Sequence, residues 1–188
     1  MSIIVDSPSA QIAERISTER EHRGWSLAEL AERSGVSKAM LSKIEREEVS
    51  PTATILMRIA TAFELTLAGL LENSGKEPAR LSRRCEQPRW QDPGTGYARQ
   101  QVFQSAQNPL ELVEVHLPPG ARVALPAASY AFIRQVVWLL SGRLEIREGK
   151  STSALEGGDR LEFGPPADSE FHNPGEKTCR YLVALVRQ

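Results

Sequence analysis

Ser26-Leu-Ala-Glu-Leu-Ala-Glu-Arg-Ser-Gly35-Val-Ser-Lys-Ala-Met-Leu-Ser-Lys-Ile-Glu45 decides how the N-terminal half of the chain folds. It reads as two short helices joined by a glycine turn. Ser26 and Glu29 form a capping box, in which the hydroxyl accepts from a free N–H and the carboxylate reaches back. Leu27, Leu30 and Ala31 mark the apolar side of the first helix, and Val36, Leu41 and Ile44 that of the second. The first helix of such a pair braces the second. The second then keeps an outward face narrow enough for a DNA major groove.

Helical spacing continues on both sides of this stretch. Leu56, Ile59, Ala60 and Phe63 fall at i, i+3, i+4 and i+7, and Ser50-Pro51 offers a cap followed by proline at the first helical position. Five helices are predicted, near residues 9–22, 26–33, 37–46, 51–63 and 67–72. From about residue 95 the period changes. Val102/Phe103, Leu110–Leu117, Arg134–Leu140, Arg143–Arg147, Arg160–Phe163 and Tyr181–Val186 read as short strands separated by Gly/Pro turns. That pattern predicts an antiparallel sandwich or barrel. Asn73-Ser-Gly-Lys-Glu-Pro78 reads as a polar linker, and the Arg-rich stretch from Arg80 to Arg99 fits neither half plainly.

Composition bounds the function classes. The 188 residues carry 23 Lys+Arg against 24 Asp+Glu, a formal net charge of −1, which excludes a globally basic nucleic-acid coat. Residues 1–75 hold 8 basic and 11 acidic side chains, so any affinity for DNA must come from local placement. Hydrophobic residues at 40 % and charged residues at 25 % fit a soluble globular protein. No apolar run reaches the ~18 residues of a membrane span, and the N-terminus lacks the features of a signal peptide. Cys85 and Cys179 stand far apart without His or Cys at ligand spacing, which suits a reducing cytoplasm and excludes a disulfide scaffold or zinc finger.

Residues 9–72 resemble the phage-repressor-like (xenobiotic-response-element, XRE) helix-turn-helix family. The matching residues include Arg20, Ala28, Leu30, Ala31, Gly35, Val36, Ser37, Leu41, Ser42, Ile44, Glu45, Ser50, Pro51, Thr52, Leu56, Ile59 and Ala60. The resemblance implies a five-helix lambda-repressor-like domain whose base-reading positions fall on Lys38 and Ala39, with Ser42 and Lys43 one turn on. Ser26, Ser37 and Arg46 become candidates for phosphate contact. The position that often carries a phosphate-binding glutamine in this family is Leu27 here. Arg20 and Glu45 match an ion pair that ties the first helix to the end of the recognition helix.

The last ~90 residues resemble a cupin, an all-β double-stranded β-helix barrel. The resemblance is carried by Pro119-Gly, the glycine after Gln135-Val-Val-Trp-Leu-Leu-Ser (Gly142), the Gly158-Asp159 turn and Asn173. Metal-using cupins hold an ion through histidines and a glutamate. Here Gln135 takes the glutamate position, Ser169 takes the second-motif histidine position, and Pro126–Phe132 contains no histidine. The resemblance thus implies neither metal nor other cofactor, and no catalytic residue is assigned. Strand parity turns Gln135, Val137, Leu139, Leu161, Phe163, Ser169 and Phe171 inward, with Tyr130 and Arg134 at the mouth. Two readings of these residues stay open: a pocket for a small polar molecule, or an interior plugged by its own side chains.

The expectation is a two-domain, non-enzymatic, cytoplasmic transcription regulator. Residues 1–75 are the helix-turn-helix domain, 76–94 a linker or arm, and 95–188 a cupin-like sensor and dimerisation domain. Its partners are double-stranded DNA with a palindromic operator, a second copy of itself and a small-molecule effector, with no membrane. The alternatives are a cupin-type metalloenzyme (a dioxygenase or isomerase) with an appended helix-turn-helix, and an antitoxin-like interaction protein.

Overall fold

The structure, a computed structural model, describes residues 8–71, 80–105 and 107–187. The chain divides into two units, Met1–Lys76 and Glu77–Gln188. The expected linker at Asn73–Pro78 lies outside the described residues.

The first unit holds helices α1 (Pro8–His22), α2 (Leu27–Ser34), α3 (Lys38–Glu45), α4 (Ala53–Ala62) and α5 (Leu67–Leu70). Ser26 caps α2 in both directions: the Glu29 N–H donates to its Oγ (3.2 Å), and the Ser26 N–H donates to Glu29 Oε2 (2.7 Å). Gly35 ends the helix in the left-handed region at φ 64°, where its N–H donates to the Ala31 carbonyl at 2.9 Å. A Cβ is disfavoured there, which is why the turn needs glycine. Ile16, Leu30, Leu41, Ile44, Leu56, Ile59, Phe63 and Leu70 are fully buried. Each such side chain contributes roughly 1.5–3 kcal/mol on leaving water. Trp25 closes the α1–α2 corner, stacking on Phe63 (5.7 Å) under the Arg33 guanidinium (4.3 Å).

The start of α4 differs from the sequence expectation. Its N-cap is Thr52 and not Ser50, and Pro51 is buried ahead of the helix. The Leu56 N–H bonds back to the Thr52 carbonyl (3.0 Å), closing the first turn two residues later than a cap at Ser50 requires. The Ser50 hydroxyl meets that of Ser9 at 3.0 Å instead.

The second unit is two antiparallel sheets. Its strands are β1 (Arg89–Gln91), β2 (Ala98–Ser105), β3 (Asn108–Leu117), β4 (Arg122–Leu125), β5 (Ile133–Ser141), β6 (Arg143–Glu148), β7 (Ser151–Glu156), β8 (Arg160–Glu162), β9 (Ser169–His172) and β10 (Cys179–Arg187). One sheet runs β1-β2-β3-β10-β5-β8 and the other β4-β9-β6-β7. From β3 onward, successive strands pass from one sheet to the other except at the β6–β7 hairpin, an eight-stranded, two-sheet jelly-roll order. β1 pairs with β2, Trp90 opposite Arg99, so part of the stretch read as linker or arm over 76–94 is sheet. Its lone buried side chain, Trp90, gives a three-residue strand no readable alternation.

Period 2 sets the barrel core. Val113, Val115 and Leu117 on β3 face Val183, Tyr181 and Cys179 on β10 across the register, and all are buried. From the other sheet come Val123, Leu144, Ile146 and Phe171. Phe163, Phe171 and Tyr181 stack in succession at 5.9 and 5.8 Å. Asn173 is wholly buried yet satisfied: its Nδ2 donates to the Leu117 and Lys177 carbonyls (2.8 and 2.9 Å) and its Oδ1 accepts from the Gly175 N–H (2.9 Å). Gly142 links β5 to β6 at φ 89°, where a Cβ would lie 2.9 Å from the Cys179 Cα.

Candidate nucleic-acid interface and barrel interior

α3 has eight residues, and its amphipathicity fixes what it displays. Leu41 and Ile44 turn into the core, while Ser37, Lys38, Ala39 and Lys43 are exposed and Ser42 is half-buried. Ser37 caps the helix by accepting from the Met40 N–H at 3.2 Å, which leaves its own O–H free to donate. Neither Lys38 nor Lys43 has an ion-pair partner among the described residues. Ser26 is exposed at the start of α2, its oxygen engaged in the capping box. Arg46, just past α3, is exposed but engaged: its Nε meets the Ser42 carbonyl (3.3 Å) and it pairs with Glu48 at 3.2 Å.

Arg20 and Glu45 lock α3 to α1. Arg20 Nε donates to Glu45 Oε1 at 2.7 Å and Nη2 to Oε2 at 2.9 Å, the two-pronged geometry in which a guanidinium binds a carboxylate most strongly. Nη1 donates to the Trp25 carbonyl at 3.0 Å. Both side chains are nearly buried, at 13 % and 12 % exposure. The Glu45 hydrogen bond also raises the Arg20 pKa, keeping the guanidinium charged. The face bearing Lys38 and Lys43 is therefore rigidly mounted.

In the barrel, β5 alternation buries Gln135, Val137 and Leu139 on one face, while Ser169 and Phe171 are buried on β9. Tyr130 is buried at the end of a short 3₁₀ turn (Ala127–Tyr130), its ring 5.6 Å from Phe163. Leu161 and Phe163 are half-buried. Arg134 does not join this group. It is exposed, one residue before Gln135, and alternation sends the two side chains to opposite faces.

The hydroxyl of Tyr130 and Nε2 of Gln135 are buried without a hydrogen-bond partner among the described residues. Burial pushes the Tyr130 phenol well above its ordinary range; Ser169 and Gln135, near neighbours but outside hydrogen-bonding geometry, offset a part of that. Tyr181 is raised by burial in the same way. Both phenols stay neutral donors.

Two residues of this interior escape sequence reasoning. Arg99 sits opposite the buried Val115 across the β2–β3 register, and its Nη1 donates to the Tyr97 hydroxyl at 3.1 Å. Both lie within electrostatic reach of Tyr130 and Tyr181. The signal that could have found them is the alternation of Tyr97, Arg99 and Gln101 inside the Arg-rich stretch.

The metal of metal-using cupins does not fit these residues. The side chains gathered here are an amide, hydroxyls, phenols and a guanidinium. Among the described residues no three His, Cys, Asp or Glu converge. His116 pairs with Glu114 (2.8 Å) and His172 with Glu145 (2.9 Å), each on the strand parity opposite to the interior.

Residues 7–70 match the family described as HTH_3, helix-turn-helix. Over 162 residues, 86 % of each chain, the sequence is 28 % identical to the HTH-type transcriptional regulator SutR of Escherichia coli (strain K12). The fold resembles an HTH_3 family transcriptional regulator from Vibrio cholerae, with a TM-score of 0.79 and 24 % identity over 96 % of this chain and 97 % of that one. The Cupin_2 domain of an XRE family transcriptional regulator from Enterobacter cloacae is similar at a TM-score of 0.45 and 16 % identity, covering 49 % of this chain and 97 % of that domain. The capped α2–α3 pair thus lies in a helix-turn-helix domain of the HTH_3 type, residues 7–70, and a unit of two antiparallel sheets follows it in the chain.

Proposed function

We propose that this chain is a cytoplasmic transcriptional regulator that reads a palindromic operator as a homodimer, with the cupin-type barrel as effector-sensing and dimerisation domain. The observation that carries the reading is the outward face of α3. Lys38, Ala39 and Lys43 stand exposed on a helix that Leu41, Ile44 and the Arg20–Glu45 fork hold in place. Lys38 and Ala39 read base edges, with Ser42 and Lys43 one turn on; Ser26, Ser37 and Arg46 contact phosphates, Arg46 exchanging Glu48 for one. One such helix covers only a few base pairs, so useful specificity needs two copies about 34 Å apart.

The outer face of the six-stranded sheet supports the dimer. Trp138 is 49 % exposed there, beside Val136, Leu182 and Ala184 in an apolar groove edged by Arg160. A self-complementary apolar face buried by a two-fold axis is the commonest route to a homodimer. The barrel interior, with its polar groups against an apolar wall, supports effector binding. The effector acts by favouring one arrangement of the paired DNA-binding units.

The test is a mobility shift of a palindromic duplex by the purified chain, with sedimentation at the same concentrations. Expected are a dimer on DNA and an affinity that falls steeply with salt. A monomer on DNA, or a salt-insensitive complex, contradicts the reading.

A further inference from the structure

We propose that the barrel interior takes a small organic monocarboxylate, held by the Arg99 guanidinium and by the hydroxyls of Tyr97 and Tyr130 and the amide of Gln135. The inference rests on the effector-sensing reading and adds the ligand's charge and class.

The polar groups gathered there are donor-rich. Tyr130 is 6 % exposed and Gln135 8 %, and the Tyr130 hydroxyl and Gln135 Nε2 have no partner among the described residues. Burying such groups unpaired is costly, so an acceptor at this spot would be strongly favoured. Arg99 supplies the charge. It faces inward opposite Val115, its contact is the Tyr97 hydroxyl, and no carboxylate pairs with it among the described residues. The inward carboxylate on β3 is Glu111, four residues along from Val115 and so roughly 13 Å away, where Arg187 meets it at 3.4 Å.

Charge and shape then narrow the class. A single guanidinium balances one negative charge, whereas a phosphate dianion would carry an uncompensated charge into an apolar barrel. The planar fork of arginine matches two carboxylate oxygens. Phe163 and Phe171 line the same interior and suit an apolar body on the ligand.

The test uses the full-length protein, calorimetric titration and thermal melting at constant ionic strength. The probes are acetate, propionate and benzoate, their neutral isosteres acetamide, propionamide and benzamide, and inorganic phosphate. Expected is that at least one carboxylate binds and raises the Tm while its amide does not. Arg99→Met should then weaken that carboxylate roughly 10- to 100-fold, and Arg99→Lys should weaken it less. An amide binding as well as its carboxylate, phosphate outcompeting every carboxylate, or an Arg99→Met affinity equal to wild type each overturns the proposal while leaving an effector site in place. Failure of every probe to bind also overturns it. If Gln135→Leu in addition lowers the Tm of the ligand-free protein, the amide is already satisfied by the barrel's own side chains, the interior is a plugged core, and the effector-sensing reading falls as well.

Discussion

Removing Glu45 should detach the recognition helix from its support. Glu45→Ala deletes two charge-assisted hydrogen bonds, at 2.7 and 2.9 Å, and leaves the 13 %-exposed Arg20 side chain without its carboxylate. Breaking a buried pair from one side costs about 3–5 kcal/mol. Arg20 keeps the Trp25 carbonyl at 3.0 Å and the exposed Glu21 at 3.3 Å, which places the expected loss at the lower end, about 3 kcal/mol. For a domain of this size that corresponds to roughly 12–24 °C in Tm. Circular dichroism at 222 nm on the full chain reads it, because α1–α5 supply the α-helical signal. Two controls sharpen the result. Glu48→Ala breaks the exposed Arg46–Glu48 pair and should cost less than about 1 kcal/mol. Arg20→Met combined with Glu45→Leu should recover most of the loss, because no unpaired charge is left behind. A Glu45→Ala loss no larger than that of Glu48→Ala would refute the reasoning.

Three other outcomes are expected. Lys38→Ala should weaken operator binding by about 1–3 kcal/mol and relax specificity, and Arg46→Ala should weaken binding to all sequences alike and lower the salt slope by about one unit, the former at unchanged Tm; titration by fluorescence anisotropy at several salt concentrations checks this. Gly142→Ala should destabilise the barrel by more than about 2 kcal/mol in urea unfolding, because its Cβ would lie 2.7 Å from the Cys179 Cβ at φ 89°. Stability should also fall in alkali. Burial pushes the Cys179 thiol up from 9.0 to about 11 and raises Tyr130 and Tyr181 above 10.0, so the unfolded chain sheds these protons first. Stability is full below about pH 9 and declines above it, by up to about 1.4 kcal/mol per pH unit for each group, more steeply once the tyrosines join past pH 10. Tyr130→Phe should flatten the upper limb of a Tm–pH curve.

Where the sequence is explicit about backbone chemistry, it is legible. Ser26, Glu29 and Gly35 name their own roles, and all five helices stand near their expected positions. Pro51 misled by one signal: proline suits a first helical turn, but here it packs ahead of the cap. β7 is an edge strand reading Ser-Thr-Ser-Ala-Leu-Glu, with Leu155 its one buried residue, so it shows no alternation. β4 and β9 have four residues each, too few for a period to emerge. Inward parity on β5 was readable from Gln135-Val-Val-Trp-Leu. Arg134 was misassigned because nearness in sequence to Gln135 does not survive a period of 2. Tyr97, Arg99 and Gln101 alternate in the sequence, but alternation alone does not say which face is inward; the pairing of Arg99 with the buried Val115 does.

Selection of bound genomic fragments by the purified chain, repeated with Lys38→Ala/Lys43→Ala, tests whether the exposed face of α3 reads DNA sequence. Expected are enrichment of fragments sharing an inverted repeat with half-sites about one helical turn apart, and loss of that enrichment in the double variant. No shared sequence, or a shared sequence retained without the two lysines, would contradict that reading.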